Sequence, residues 1–305
     1  MAESFCRVGD IEICYETFGS PENPAVLLIM GLGTQMLAWH EDFCERLADR
    51  GYFVIRHDNR DIGRSSRMEG APTPTLLQLA RRDPRSAAYT LSDMAGDSVG
   101  VLDHLGIERA HVVGASMGGM IAQTIAIRYP HRTLSLVSIM SNTGSFWTGQ
   151  PALTMYAILL RPVPADRSEF IQRAVDTFAK IGGTGFEPDV EDLRDIASRS
   201  YDRGHDPKGS SRQLGAIIAD RDRTPQLAKL RMPVTVIHGA DDKLVRRSGG
   251  RATARAVPQA KLVEIPGMGH SLPRGAWPAI IDAIVETAER ATPAPGSARS
   301  LPTAG

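Results

Sequence analysis

No stretch of about eighteen uninterrupted apolar residues occurs in the 305-residue chain, so the sequence offers no membrane-spanning helix. Net charge is missing too, with 35 Lys and Arg against 35 Asp and Glu. A chain without basic excess is not expected to neutralise a run of phosphates, which argues against a nucleic-acid binder and an electrostatically held membrane-surface protein. The opening Met1-Ala2-Glu3-Ser4-Phe5 carries neither a basic segment nor an apolar one, so no secretory leader is expected. Cysteine is scarce. Cys6, Cys14 and Cys44 lack metal-ligand spacing, and a reduced, cytoplasmic setting is the simplest expectation. What remains, 42% apolar and 23% charged residues, is the composition of an ordinary globular chain.

Hydrophobic patterning then sets the organisation. Ile11–Glu16 alternates apolar and polar, as a half-buried strand does, whereas Ala25–Met30 is apolar at every position, as in a strand covered on both faces. Further strands are expected at 52–55, 111–113, 134–140, 234–237 and 261–265. Helices fall between them at 37–50, 90–105, 117–129, 249–256 and around Trp277–Ala288. Thr90-x-x-Asp93 opens one of these with a capping box. Strands alternating with helices predict an α/β fold with a mostly parallel central sheet flanked by helices. The rhythm stops between Asn142 and Pro225, where only helical patterns occur (155–160, 170–180, 190–198). The expected division is a core formed by 1–141 and 226–290, with a helical cap, 142–225, inserted in it. Residues 291–305, rich in Pro, Ala, Ser and Gly, are expected to form a disordered tail.

The sharpest chemical feature is Gly114-Ala115-Ser116-Met117-Gly118-Gly119, directly between a strand and an apolar helix. Glycines on both sides let strand and helix approach closely, so the serine can occupy a tight turn above the carboxyl ends of the strands. A serine hydroxyl is a poor nucleophile at neutral pH and needs a base, and the base needs an orienting acid. His270, in the loop past the last strand, would return to the same end of the sheet; taken alone it is only a loop histidine. The loop after the preceding strand offers Asp241 and Asp242. Asp242 lies further into that loop and is the expected acid, while Asp241 suits solvent or turn hydrogen bonds. Two backbone N–H groups, of Leu32 in Gly31-Leu32-Gly33 and of Met117 at the helix N-terminus, are the candidate oxyanion donors.

On these residues the chain resembles the α/β-hydrolase superfamily over roughly residues 10–290, and within it the actinobacterial esterases and lipases related to aclacinomycin methylesterase. Met30–Gly33, Asp58–Ser65, Gly114–Gly119 and Ile265–Pro273 carry the resemblance. It implies Ser116 as nucleophile, Asp242 as acid, His270 as base, and the amides of Leu32 and Met117 as oxyanion hole. Two departures stand out. Met30-Gly31 replaces a His-Gly common in relatives, and Arg246 stands where relatives often carry proline. The Asp58–Ser65 segment is expected to be structural, with Arg60 as an internal ion-pair partner.

The resulting expectation is a serine hydrolase that needs no cofactor and no metal and acts on a small-molecule ester, apolar acyl, lipid or polyketide methyl ester. A thioesterase or a phospholipase or lipase would use the same triad, as would a perhydrolase, and a non-catalytic ligand receptor would keep the fold alone. Trp147, Met155 and Tyr156 in the helical stretch are the candidate substrate-binding residues; helical spacing of such residues equally suits plain packing. No feature of the sequence specifies an oligomeric state.

Overall fold

The computed structural model describes residues 3–291, Arg82 excepted; beyond Ala291, the expected tail lies outside the described residues. The chain opens with β1 (Ser4–Val8), β2 (Ile11–Phe18) and β3 (Ala25–Ile29), followed by α1 (Glu41–Ala48) and β4 (Phe53–His57). Next come α2 (Leu76–Arg81), α3 (Leu91–His104), β5 (Ala110–Ala115), α4 (Met117–Arg128) and β6 (Thr133–Ile139). Then five helices follow in succession: α5 (Leu153–Leu159), α6 (Arg167–Ile181), α7 (Val190–Arg203), α8 (Pro207–Ala219) and α9 (Thr224–Leu227). The sheet resumes with β7 (Val234–Gly239), α10 (Ser248–Ala256), β8 (Lys261–Ile265) and α11 (Trp277–Glu289).

The eight strands form one sheet in the order β1-β2-β4-β3-β5-β6-β7-β8. β1 pairs antiparallel with β2 and β2 with β4; every later pairing is parallel. The central strands are buried along their whole length because helices cover both faces. Alternation decides which side chain faces which layer: Leu27 and Ile29 of β3 pack in a cluster with α3 and α4, and Val26 and Leu28 in one with α1 and α11. The capping box opens α3 as expected, with Thr90 Oγ1 accepting from the Asp93 N–H and Asp93 Oδ2 from the Thr90 N–H.

Several elements departed from the sequence expectation, the short helices α2 and α9 among them. β1 alternates in burial, but its residue types do not, since exposed Phe5 is apolar and Cys6 is its one buried residue. The region 37–50 is split by His40, whose Nδ1 accepts from the Asp42 N–H and restarts the helix there. Finally, α8 is masked in the sequence by its small and polar residues, although Asp206 caps it and Pro207 occupies its first turn.

Candidate active site

Ser116 sits at the junction of β5 and α4 with φ 56° and ψ −119°, a conformation that L-residues adopt only under constraint. Its neighbours explain how the chain tolerates it. A Cβ on Gly114 would lie 2.0 Å from the Gly118 carbonyl oxygen, and one on Gly118 would lie 2.1 Å from the Ile29 carbonyl oxygen. With no side chain at either position, strand and helix approach closely, and the Ser116 N–H donates to the Ile139 carbonyl at 2.9 Å. The hydroxyl therefore stands at the carboxyl end of the sheet, beside the β3 loop.

His270 reaches the same place from the loop after β8. Its Nε2 lies 2.9 Å from Ser116 Oγ and its Nδ1 lies 2.7 Å from Asp242 Oδ2. A carboxylate only accepts, so the Nδ1 side of the ring carries the proton and Nε2 is left to accept from the serine hydroxyl. The Asp242 side chain is fully buried, and its Oδ1 accepts from the Leu244 and Val245 N–H groups at 2.8 and 2.9 Å. Three donors thus converge on one carboxylate. Asp241 turns elsewhere, accepting from Thr184 Oγ1 at 2.7 Å.

The helical stretch between β6 and β7 holds the histidine loop by main-chain bonds. His270 N–H donates to Ile181 O at 2.6 Å and Gly269 N–H to Gly182 O at 2.7 Å, while Thr184 and Gly185 N–H groups both donate to Gly267 O. The candidate oxyanion donors lie close by. An added Cβ on Gly31 would come 3.1 Å from Ser116 Cβ, so the Gly31–Leu32 peptide passes directly beside the serine. Neither the Leu32 nor the Met117 amide donates to a protein acceptor among the described residues.

Ser116, His270, Leu32 and Met117 open onto a cavity of about 1440 Å³ between the sheet and the helical stretch. Met155 and Tyr156 are among the residues that line it. Trp147 requires correction. It is 86% exposed and does not line the cavity; its neighbour Phe146 does. The loop from Asn142 to Gly149 is turned by Gly144 and Gly149, both at positive φ, and its periodicity is not that of a helix.

The remaining reactive groups are withdrawn. Burial pushes the thiols of Cys6, Cys14 and Cys44 up to about 11, 12 and 12, so none supplies a thiolate near neutrality. Arg60 forms a fork with Asp97 at 2.6 and 2.7 Å, the internal ion pair expected of it. Asp58 accepts from the Met36 and Arg64 N–H groups at 2.8 and 3.0 Å, and Ser65 Oγ donates to its carbonyl. Among the described residues, no group of three His, Cys, Asp or Glu is arranged to hold a metal ion. Likewise, no helix among them is long and apolar enough to cross a membrane.

Comparison with known proteins identifies the fold family. Rhodomycin D methylesterase DauP from Streptomyces sp. (strain C5) is 29% identical over 286 residues, spanning 87% of this chain and 90% of that protein. The 3-oxoadipate enol-lactonase 2 of Acinetobacter baylyi is 29% identical over 245 residues, covering 79% of this chain and 80% of its own. Among solved structures, a thermophilic esterase from Thermogutta terrifontis superposes with a TM-score of 0.72 at 22% identity, covering 95% of this chain and 99% of that one. The profile of the α/β-hydrolase fold matches residues 24–273, and the chain belongs to that family.

Proposed function

We propose that the protein is a serine hydrolase of carboxylic esters, with Ser116 as nucleophile, His270 as base and Asp242 as the orienting acid. The observation that carries this reading is the unbroken hydrogen-bonded series from Asp242 through His270 to Ser116. Ser116 Oγ attacks the ester carbonyl carbon as His270 Nε2 takes its proton, and Asp242 stabilises the imidazolium. The Leu32 and Met117 N–H groups bind the oxyanion, where losing one donor typically costs on the order of 10²–10³ in rate. Collapse breaks the ester C–O bond, His270 returns the proton to the departing alcohol, and an acyl-enzyme remains. Water then attacks the acyl carbonyl, His270 again taking the proton, and the acid leaves Ser116 restored. No step calls for a metal or an organic cofactor.

The two named relatives are, by name, a methylesterase and an enol-lactonase, which supports an ester substrate here. The cavity, about 1440 Å³, exceeds the roughly 300–1,000 Å³ usual for a small-molecule site. It suits a bulky, mostly apolar ester such as a lipid or polyketide methyl ester, with residues 142–225 serving as a cap over it. Covalent labelling by a fluorophosphonate, abolished in Ser116→Ala, is the expected result. An unlabelled wild-type protein would sink the reading. Turnover of methyl and p-nitrophenyl esters, set against acyl thioesters and phospholipids, identifies the leaving group; turnover of thioesters alone contradicts an ester substrate.

A further inference from the structure

Gln213, on α8 and wholly buried, spans two loops of the sheet. Its Oε1 accepts from the Gly33 N–H at 2.9 Å, and its Nε2 donates to the Arg60 carbonyl at 2.9 Å. The first bond falls on the peptide that follows Leu32. That same peptide is held at its other end, where Thr34 Oγ1 donates to the Leu32 carbonyl at 3.1 Å. Gly33 itself has φ 66°, and an added Cβ there would meet Ser210 Oγ of α8 at 2.8 Å. A peptide fixed at both ends leaves Leu32 little freedom, so the direction of its own N–H, the candidate oxyanion donor, is set from α8.

The rest of this face of α8 makes the attachment firm. Arg212, the residue before Gln213, forms a fork with the buried Asp61 at 2.7 and 2.9 Å. Gly209 lies so close to the Asp61 carbonyl that a Cβ would come within 2.1 Å. Those contacts secure the helix. Gln213 alone among them bonds to the loop that carries Leu32.

We infer that Gln213 is a positioning residue for the oxyanion hole, acting through the Leu32–Gly33 peptide and tying the hole's geometry to the docking of α8. The inference rests on the reading of Leu32 as an oxyanion donor. It reaches catalysis without touching substrate, and it makes the helical stretch a part of the transition-state apparatus as well as a wall of the cavity. Pre-aligned donors act on the charge that develops at the carbonyl oxygen, so their misalignment affects the transition state far more than the bound ester.

Two variants test this. Gln213→Leu removes both bonds. Gln213→Asn keeps the amide, and so guards against simple misfolding, but is shorter by one C–C bond of about 1.5 Å and cannot hold both loops at once. For each, kcat on a p-nitrophenyl ester is expected to fall ten- to a hundredfold with KM within about threefold. The Ki of a trifluoromethyl ketone, which forms a tetrahedral adduct on Ser116, should rise by the factor by which kcat/KM falls. A purely structural role predicts a lower melting temperature with kcat and Ki of the folded protein unmoved; that result, or a change confined to KM, overturns the inference. Ser116→Ala is the control. If it keeps wild-type turnover, the reading of Ser116 as nucleophile falls and this inference with it, whereas an inactive Ser116→Ala beside fully active Gln213 variants overturns the inference alone.

Discussion

Two adjacent aspartates, Asp241 and Asp242, show how one position in a loop decides which partners a side chain meets. Asp242 faces inward to His270 and two backbone donors, and Asp241 faces Thr184. Replacing Asp242 by Asn puts an N–H₂ or a single amide oxygen against the imidazole, which disturbs its tautomer; a loss of about 10⁴-fold in kcat is expected. Asp241→Asn should stay within about threefold of wild type, and steady-state kinetics on the same ester compare the two directly. A larger loss in Asp241→Asn would contradict the assignment. Position in the loop was readable from the sequence here because the strand end fixes where the chain turns. Trp147 shows the opposite case: an aromatic in an apolar stretch suggests a pocket, but the loop's glycines turn it outward. Gln213 left no trace at all, since its partners are 180 and 153 residues away. A glutamine's hydrogen bonds have no sequence period.

At the scale of elements, two kinds of ion pair hold the helices between β6 and β7. Arg212–Asp61 and Arg203–Asp58 are buried and join α8 and α7 to the turn after β4. Arg167–Asp202 joins α6 to α7 in solvent, with both side chains about half exposed. Removing one partner of a buried pair leaves an uncompensated charge, at a cost of about 3–5 kcal/mol, while an exposed pair contributes about 1 kcal/mol or less. Urea denaturation of Arg212→Met should therefore show a several-kcal/mol loss and that of Arg167→Met almost none. Equal losses would argue that the burial of Arg212 is unimportant. The glycines at the Ser116 turn belong to this scale as well. Gly118→Ala places a methyl group against the β3 carbonyls and is expected to abolish activity and fold stability together, as thermal melting beside turnover would show. The turn was legible because the glycine spacing is itself the steric requirement. The welding of α8 to the core was not, because it depends on close approach between segments distant in sequence.

For the whole molecule, fully apolar strands and intervening helices identified the parallel sheet, since both depend on local pattern. The sheet also buries histidines as neutral groups. Burial holds His57 and His238 below the usual imidazole range and lowers His111 from 6.5 to about 4. Each such ring binds its proton more readily when the chain unfolds. Stability is therefore complete above about pH 6.5 and is lost progressively as pH falls towards about 4, where His111 alone accounts for on the order of 3 kcal/mol. Urea midpoints measured across that window should fall with pH, and His111→Gln should flatten the slope. A midpoint independent of pH would contradict the neutral burial.

The four main-chain bonds between Ile181–Gly185 and Gly267–His270 carry a consequence for exchange with solvent. The His270 and Gly269 amides are shielded by carbonyls of another segment, not by their own sheet. Their deuterium uptake thus clocks each separation of α6 from the histidine loop. Should entry of a bulky ester require that separation, every admission would briefly unfasten His270, the proposed base, and the proposed attack by Ser116 would have to wait until the loop is fastened again.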